Sequence, residues 1–139
     1  MYDGVPIIEQ GVLINYKNKT RGIADLIVRS DFINKLVERQ VLSDNETTYK
    51  APNLNGNYHY RVIDIKWTTM LLCANGYTIR NDGRFPAYKG QLAIYNCIIG
   101  IIQGYTPNQS YIMSKSLKIS SVKEQKSGYN CFELLGIID

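Results

Sequence analysis

The sequence is poor in the residues that build metal clusters and covalent cross-links. It contains one histidine, His59, and three cysteines, Cys73, Cys97 and Cys131, with no Cys-x-x-Cys pair. A four-cysteine iron–sulfur cluster within the chain is therefore excluded, and a structural zinc site is disfavoured. The odd number of cysteines also argues against a disulfide framework and predicts reduced thiols.

Long hydrophobic runs and a secretory signal are lacking as well. The longest apolar stretch, residues 97–102, is far shorter than the roughly 20 residues of a membrane-spanning helix. The opening residues, Met-Tyr-Asp-Gly-Val-Pro, have neither the basic segment nor the apolar core of a signal peptide. We therefore expect an intracellular protein without a membrane partner.

Charge is sparse and only mildly biased. Charged residues make up 20% of the 139 residues and the net charge is +4, which is compatible with an anionic partner but does not establish one. The 45% of hydrophobic residues is typical of a globular protein. We expect residues 1–139 to form one domain, and the hydrophobic pattern at both ends suggests that it belongs to a longer protein.

The first part of the chain predicts an antiparallel hairpin. Residues 7–15 and 20–29 have strand patterns, and the polar turn at residues 16–19 joins them. With the turn centred there, Gln10 faces Asp25, within a register error of one residue.

The rest of the chain predicts two helices and several short strands. Helical spacing of apolar residues predicts helices at 30–38 and 87–103, with a long polar loop at 43–57. Residues 115–126 are polar and ambiguous. This order is a mixed α/β arrangement without the regular alternation of a doubly wound sheet. Further strands are predicted at residues 58–67, 70–74, 77–80 and 110–114, and a hydrophobic pattern resumes at 129–138.

An acid and a lysine share one face of the strand predicted at residues 58–67. Side chains two apart in a strand point the same way, so Asp64 and Lys66 lie together while Ile63 and Ile65 point to a core. Such a pair can bind a cation and polarise its water. A solvent-facing ion pair on an edge strand is the commoner meaning of Asp-x-Lys.

A second carboxylate, Asp25, lies within a mostly apolar strand, where it is costly unless paired or bound to a cation. If this strand neighbours that of Asp64, two carboxylates and water supply hard oxygen ligands for Mg²⁺ or Mn²⁺. The alternative is a hydrogen-bonded structural aspartate. Gln91 and Tyr95, four apart, share a helix face and could reach a phosphate, or could simply be a polar residue beside a core tyrosine.

Together these residues resemble the RecB-type branch of the PD-(D/E)XK nuclease superfamily, as found in large DNA viruses and some bacterial proteins. Its pattern is Gly-x-x-Asp on a strand, Asp/Glu-x-Lys on the next strand and Gln-x-x-x-Tyr on the following helix. The resemblance covers about residues 7–113 and implies a restriction-endonuclease-like core, a central mixed β-sheet flanked by helices. The matching segments are Gly22-Ile-Ala-Asp25, Asp64-Ile-Lys66 and Gln91-Leu-Ala-Ile-Tyr95.

The resemblance implies metal-dependent hydrolysis of single- or double-stranded DNA in repair, recombination or viral DNA processing. It places the protein in the cytoplasm or nucleus of a host, or in a virion, with further domains of a parent chain as possible partners. Mg²⁺ or Mn²⁺ would be bound by Asp25, Asp64 and the Ile65 carbonyl. Lys66 would orient the attacking water and stabilise negative charge, and Gln91 and Tyr95 would position the substrate or the metal site.

Several other residues are candidates for contact with the substrate. The loop residues Arg80, Arg84 and Lys89 could contact phosphates, or could be solvated loop charges. Trp67 and Tyr88 could stack on bases, although core packing is the expected role of Trp67.

The chain departs from the family pattern in three places. Ala24 rather than proline precedes Asp25, and the second acid is Asp64 rather than glutamate. Only six residues precede the first strand, so the upstream helix that carries a Glu or His near the metal in this family is expected outside the chain. Glu9 is the nearest acid, but the hairpin register puts Gln10 beside Asp25. The missing upstream acid supports an alternative, a catalytically incomplete nuclease fold that binds nucleic acid or scaffolds a larger helicase or repair protein. A nuclease acting on RNA is a third alternative.

Overall fold

The computed structural model describes residues 1–119 and 128–139, which form a mixed α/β fold around one six-stranded sheet. The sheet order is β1-β2-β3-β4-β5, and β6 pairs with β4. Only β3 and β4 are parallel; the other pairs are antiparallel. The strands are β1 (Ile7–Asn15), β2 (Thr20–Arg29), β3 (Tyr60–Leu72), β4 (Ser110–Ile119), β5 (Tyr129–Asn130) and β6 (Gly136–Ile138), and the helices are α1 (Ser30–Ile33), α2 (Asp44–Thr47) and α3 (Phe85–Gln103).

The predicted hairpin of β1 and β2 is confirmed. Asn15 and Asn18 cap its turn, accepting hydrogen bonds at 3.1 Å from the backbone N–H groups of Lys17 and Thr20. The pairs Glu9↔Leu26 and Gly11↔Ala24 place Gln10 opposite Asp25, as expected from the turn position.

The long helix α3 connects the parallel strands β3 and β4 and covers one face of the sheet. It begins at Phe85, two residues before the predicted start, because Pro86 fits the first turn of a helix. It ends at Gln103 and is followed by the cap residue Gly104, whose φ of 76° is the left-handed conformation that favours glycine. Buried Leu92 and Ile99 pack with strand residues in the larger of two cores.

A smaller core lies on the other face of the sheet, where Val28, Ile63 and Tyr111 pack under the segment around α1. The helix predicted at residues 30–38 ends at Ile33 instead. The Asn34 side chain explains the early end, because it accepts hydrogen bonds from the N–H groups of residues 41 and 42 and donates to the carbonyl of residue 42. It thereby closes a loop where the helix would have continued.

Several further predictions changed in length or type. The strands expected at 58–67 and 70–74 are one strand, β3, and residues 77–80 form isolated bridges rather than a strand. A turn at Asn75 and Gly76 follows β3, with Gly76 at a φ of 79°. The polar loop at 43–57 contains α2, which begins with a capping box between Ser43 and Glu46. Strand β4 continues past residue 114 to Ile119, so residues 115–119 of the ambiguous segment are strand, whereas 120–126 lie outside the described residues.

Within residues 1–119 and 128–139, none of the helices is long and apolar enough to cross a membrane.

Candidate active site

The sheet divides into two arms at the position of the paired carboxylates. Strands β2 and β3 pair through residues 26–29 and 60–63, and their last pair is Leu26↔Ile63. Beyond it, residues 20–24 of β2 pair with β1, and residues 64–66 and 69–72 of β3 pair with β4, with an irregularity between Lys66 and Thr69. We call residues 11–24 the hairpin arm, and residues 65–72 with 113–119 the β3–β4 arm.

Asp25 lies where the two arms separate. Its Oδ2 accepts a hydrogen bond of 2.8 Å from the backbone N–H of Ile65, so the side chain spans from β2 to β3. Its Oδ1 accepts a hydrogen bond of 3.1 Å from the Gln10 side-chain amide. Gln10 has a φ of 50°, an uncommon conformation for a residue other than glycine, at the point of β1 facing Asp25. Two neighbouring strands therefore fix the Asp25 carboxylate.

Asp64, Lys66, Gln91 and Tyr95 continue from Asp25 as a chain of contacts. The Asp64 side chain is almost fully buried, and the Lys66 ammonium lies 2.6 Å from its Oδ2. Lys66 donates a 3.3 Å hydrogen bond to the Gln91 side-chain oxygen. The Gln91 amide nitrogen donates to the Tyr95 hydroxyl at 2.8 Å. Strand period two and helix period four thus bring these side chains together between the sheet and α3.

Gly22 is explained by the position of Tyr95. A Cβ atom at residue 22 would overlap Cε1 of the Tyr95 ring, lying closer than non-bonded atoms can approach. The glycine of the Gly-x-x-Asp segment therefore makes room for the ring that holds Gln91.

The two carboxyl groups have opposite pKa shifts. Burial raises the pKa of Asp64, and the neighbouring Asp25 carboxyl raises it further, against the opposing effect of Lys66. Burial also acts to raise the pKa of Asp25. The Ile65 N–H, the Asp64 carboxyl, Gln10 and Lys66 outweigh this effect, so the pKa of Asp25 is lowered. When two carboxyl groups are adjacent, one of them holds a proton more readily than an isolated acid.

The oxygen atoms of Asp25 and Asp64 are of the kind that binds a hard cation, but the site has few carboxylates. Oδ2 of Asp64 is buried and lies 2.6 Å from the Lys66 ammonium. Each oxygen of Asp25 accepts one hydrogen bond and keeps a second lone pair. Over the described ranges, no cluster of three or more His, Cys, Asp or Glu side chains is placed to hold a metal ion. A Mg²⁺ or Mn²⁺ ion would therefore need main-chain oxygen, such as the Ile65 carbonyl, and water.

No protein-family model matches this chain, and no curated protein and no solved structure is significantly similar to it. The placement of the five residues on β2, β3 and α3 is therefore what supports a function.

The three basic candidates from the sequence do not form one group with the carboxylates. Lys89 donates a 2.7 Å hydrogen bond to the Ile79 carbonyl and so attaches α3 to the preceding segment. Arg80 is half-exposed, with its guanidinium 3.9 Å from the Asp82 carboxylate. Arg84 is exposed at the N-cap of α3. Of the three, Lys89 has a defined structural role.

Two expectations for β3 were wrong. Ile65 is 44% exposed and Trp67 is 78% exposed, whereas both were expected in a core. Both side chains alternate with Asp64 and Lys66 and share the face of buried Ile63. The smaller core covers that face at Ile63, but β3 extends beyond it, so the later residues of the face are exposed.

Gln10 was given no role from the sequence, and Tyr88, proposed to stack on a base, has a further contact at the site. Gln10, expected to face Asp25, binds the carboxylate through its amide. The ring centroid of Tyr88 lies 4.8 Å from the Lys66 ammonium. The signal for Tyr88 was its spacing, since it precedes Gln91 by three residues and therefore lies on the same helix face.

Proposed function

We propose that this protein is a metal-dependent nuclease of the RecB-type PD-(D/E)XK kind that hydrolyses DNA phosphodiester bonds. One observation carries the proposal. Asp25 from β2, Asp64 and Lys66 from β3, and Gln91 and Tyr95 from α3 join in one network of contacts at the point where the sheet opens. The mixed sheet with α3 across one face is compatible with a restriction-endonuclease-like core, which is part of the same proposal.

The electrostatics of the site favour this function over a structural role. A buried carboxylate that faces a second carboxylate costs stability, because both desolvation and like charge oppose its ionisation. Lys66 offsets the charge of one carboxylate, but the two acids and the lysine together still carry more negative than positive charge. Such perturbed acid pairs beside a lysine occur preferentially at functional sites.

Each residue has a role that follows from its contacts. Asp25 and Asp64, with the Ile65 carbonyl, would hold Mg²⁺ or Mn²⁺, and such an ion activates water and polarises a phosphoryl oxygen. The Lys66 ammonium would orient the attacking water and stabilise the negative charge that develops on the phosphate. Gln91 accepts a hydrogen bond from Lys66, and Tyr95 fixes the orientation of the Gln91 amide. The last two are positioning residues.

The test is cleavage of labelled single- and double-stranded DNA with Mg²⁺, with Mn²⁺ and with EDTA. We expect metal-dependent cleavage that is lost in Asp64→Ala and in Lys66→Ala. Asp82→Ala and Lys35→Ala, which change an exposed acid and an exposed lysine elsewhere, are matched controls and should cleave normally. Unchanged cleavage in both site variants would overturn the proposal.

A second candidate function is a nucleic-acid-binding or scaffolding module that uses the same fold without catalysis. The observation in its favour is the carboxylate count, since among residues 1–119 and 128–139 no third acidic or histidine side chain joins Asp25 and Asp64. Glu9, the nearest acid in sequence, is exposed and pairs with Leu26. Titration with Mn²⁺ separates the two functions: neither cleavage nor a thermal shift, with DNA binding retained, identifies the module.

A further inference from the structure

The two arms of the sheet form the sides of a groove that ends at Asp25 and Asp64. At this end, the strands are still paired through Leu26 and Ile63, so the arms begin one strand spacing apart, about 4.8 Å. On one side, α3 closes the groove, with Tyr95 against Gly22 of the hairpin arm and Gln91 against Lys66 of the β3–β4 arm. The groove therefore narrows toward the carboxylates.

Both arms carry positive charge and no negative charge. Residues 11–24, 65–72 and 113–119 include no Asp or Glu. Five of their basic side chains are exposed, and the sixth, Lys66, is half-exposed beside Asp64. This distribution is complementary to a polyanion, and it opposes docking of a second copy of the same chain because like charges would meet. The basic residues of the arms are Lys17, Lys19, Arg21, Lys66, Lys115 and Lys118.

The β3–β4 arm also presents an exposed indole ring. Trp67 is 78% exposed, and the Lys115 ammonium lies 5.7 Å from its ring centroid. A large aromatic ring beside a lysine is the combination that binds an unpaired base and its phosphate. Trp67 is three residues from Asp64, about 10 Å along the strand, and it lies on the opposite face of β3 from Asp64 and Lys66. A chain stacked on Trp67 would therefore have to pass between the two arms to reach the carboxylates.

We propose that the groove binds single-stranded DNA, with a base stacked on Trp67 and phosphates beside Lys115 and the basic hairpin arm. The proposal rests on the proposed function for the choice of DNA, and it names single-stranded DNA as the form that reaches the site. A duplex fits less well because its base faces are covered by stacked neighbours and are not available to Trp67.

Trp67 is the only tryptophan in the chain, so its fluorescence reports directly on this groove. The experiment is titration of the full chain in EDTA with an oligodeoxythymidylate of about 16 nucleotides, at several salt concentrations. We expect saturable quenching and an affinity that falls steeply as salt rises. By fluorescence anisotropy of a labelled oligonucleotide, Trp67→Ala should weaken binding about 10-fold or more, since a stacked base contributes about 1–3 kcal/mol.

Matched variants separate stacking from charge and from general damage. Trp67→Phe should keep most of the affinity, and Lys115→Gln should lower the salt dependence of binding. Phe132→Ala removes a 68% exposed ring outside the arms and should bind normally. Circular dichroism and thermal melting establish that each variant is folded.

Three results would overturn the proposal. They are an unquenched Trp67, equal affinity of folded Trp67→Ala and wild type, and binding of duplex as tight as that of single strand. A dimer that Trp67→Ala abolishes, without any quenching by DNA, would assign the ring to self-association and would also overturn it. The titration is done in EDTA, so it does not depend on cleavage. Quenching in EDTA together with no cleavage in Mg²⁺ or Mn²⁺ would support the binding of single-stranded DNA and would count against only the proposed nuclease activity.

Discussion

Strand β3 begins beside one buried charge cluster and carries another, and the two differ in how their charges are compensated. At its start, Arg61 is completely buried, and its Nε donates a 2.8 Å hydrogen bond to Nε2 of His59. Its Nη1 donates to the Asn108 side-chain oxygen at 3.2 Å, and its Nη2 lies 3.7 Å from the Glu46 carboxylate. Three residues later, Asp64 faces a second acid, Asp25, and Lys66.

The two clusters show that a buried charge can have a structural role or a functional one. Arg61 joins the strand to loops on both sides, with a carboxylate and neutral acceptors around one cation. The Asp64 cluster brings two like charges together at the open end of a groove, where burial raises the pKa of the Asp64 carboxyl. Removing a buried charge such as Arg61 leaves its partners without a donor and destabilises a fold, whereas a like-charge pair beside solvent is more useful for binding a cation than for stability.

The largest expected effect is at Asp64. Asp64→Asn should lower DNA cleavage by at least about 1,000-fold, a loss of about 4 kcal/mol of transition-state stabilisation, because it removes a metal-binding carboxylate. Its free energy of unfolding should change by less than about 1 kcal/mol, because the variant also removes a desolvated charge next to Asp25. Single-turnover cleavage and urea unfolding measure the two quantities. A large loss of stability would show that the cluster is structural and would remove the contrast with Arg61.

Arg61 should show the opposite pattern. Arg61→Ala should lower the free energy of unfolding by about 3 kcal/mol, because His59 and Asn108 lose a donor and a cavity is left in the protein. Arg80→Ala is the control, since its half-exposed side chain makes only a 3.9 Å ion pair and should change stability by less than about 0.5 kcal/mol. Chemical denaturation of both variants tests this, and equal stabilities would contradict it.

The His59 side chain should make stability depend on pH. Burial lowers the pKa of His59 from 6.5 to about 4. The Tyr49 carbonyl and Glu46 oppose this effect, whereas the Arg61 guanidinium adds to it. Between these two pH values, the unfolded chain binds a proton that the folded chain does not. Stability should therefore fall as pH drops from about 6.5 to about 4, by about 2–3 kcal/mol.

Urea unfolding across this pH range measures the His59 effect. In His59→Gln the slope between pH 6.5 and 4 should flatten, since the titrating group is gone. An unchanged slope in this variant would assign the pH dependence to other groups.

The smallest expected effect distinguishes two glycines near the site. Gly22→Ala should lower the free energy of unfolding by about 1–2 kcal/mol and should reduce cleavage, because the new methyl group displaces the Tyr95 ring and with it Gln91. Gly90→Ala is the matched control. No atom lies within 4 Å of its added Cβ, and alanine should stabilise α3 by about 0.5–1 kcal/mol. Thermal melting of the pair, with cleavage rates, tests the comparison; a stable and active Gly22→Ala would contradict it.

The local patterns of the chain determined the hairpin and α3, because period two, period 3.6 and turn residues are properties of neighbouring residues. The same periods put Asp64 beside Lys66 and Gln91 beside Tyr95. Helix α1 ended early because the Asn34 side chain bonds to residues 41 and 42, a contact that periodicity does not reveal.

Only the tertiary structure decided how these pairs meet. From the sequence alone, Asp25 would lie near Asp64 only if their two strands were neighbours. The pairing of β2 with β3 makes the two carboxylates adjacent. It also decided that Trp67 is exposed, since burial depends on which element covers a face and not on the hydrophobicity of the residue. Alternation sets the face on which a side chain lies, and the packing of distant segments sets whether that face is a core, a groove or solvent.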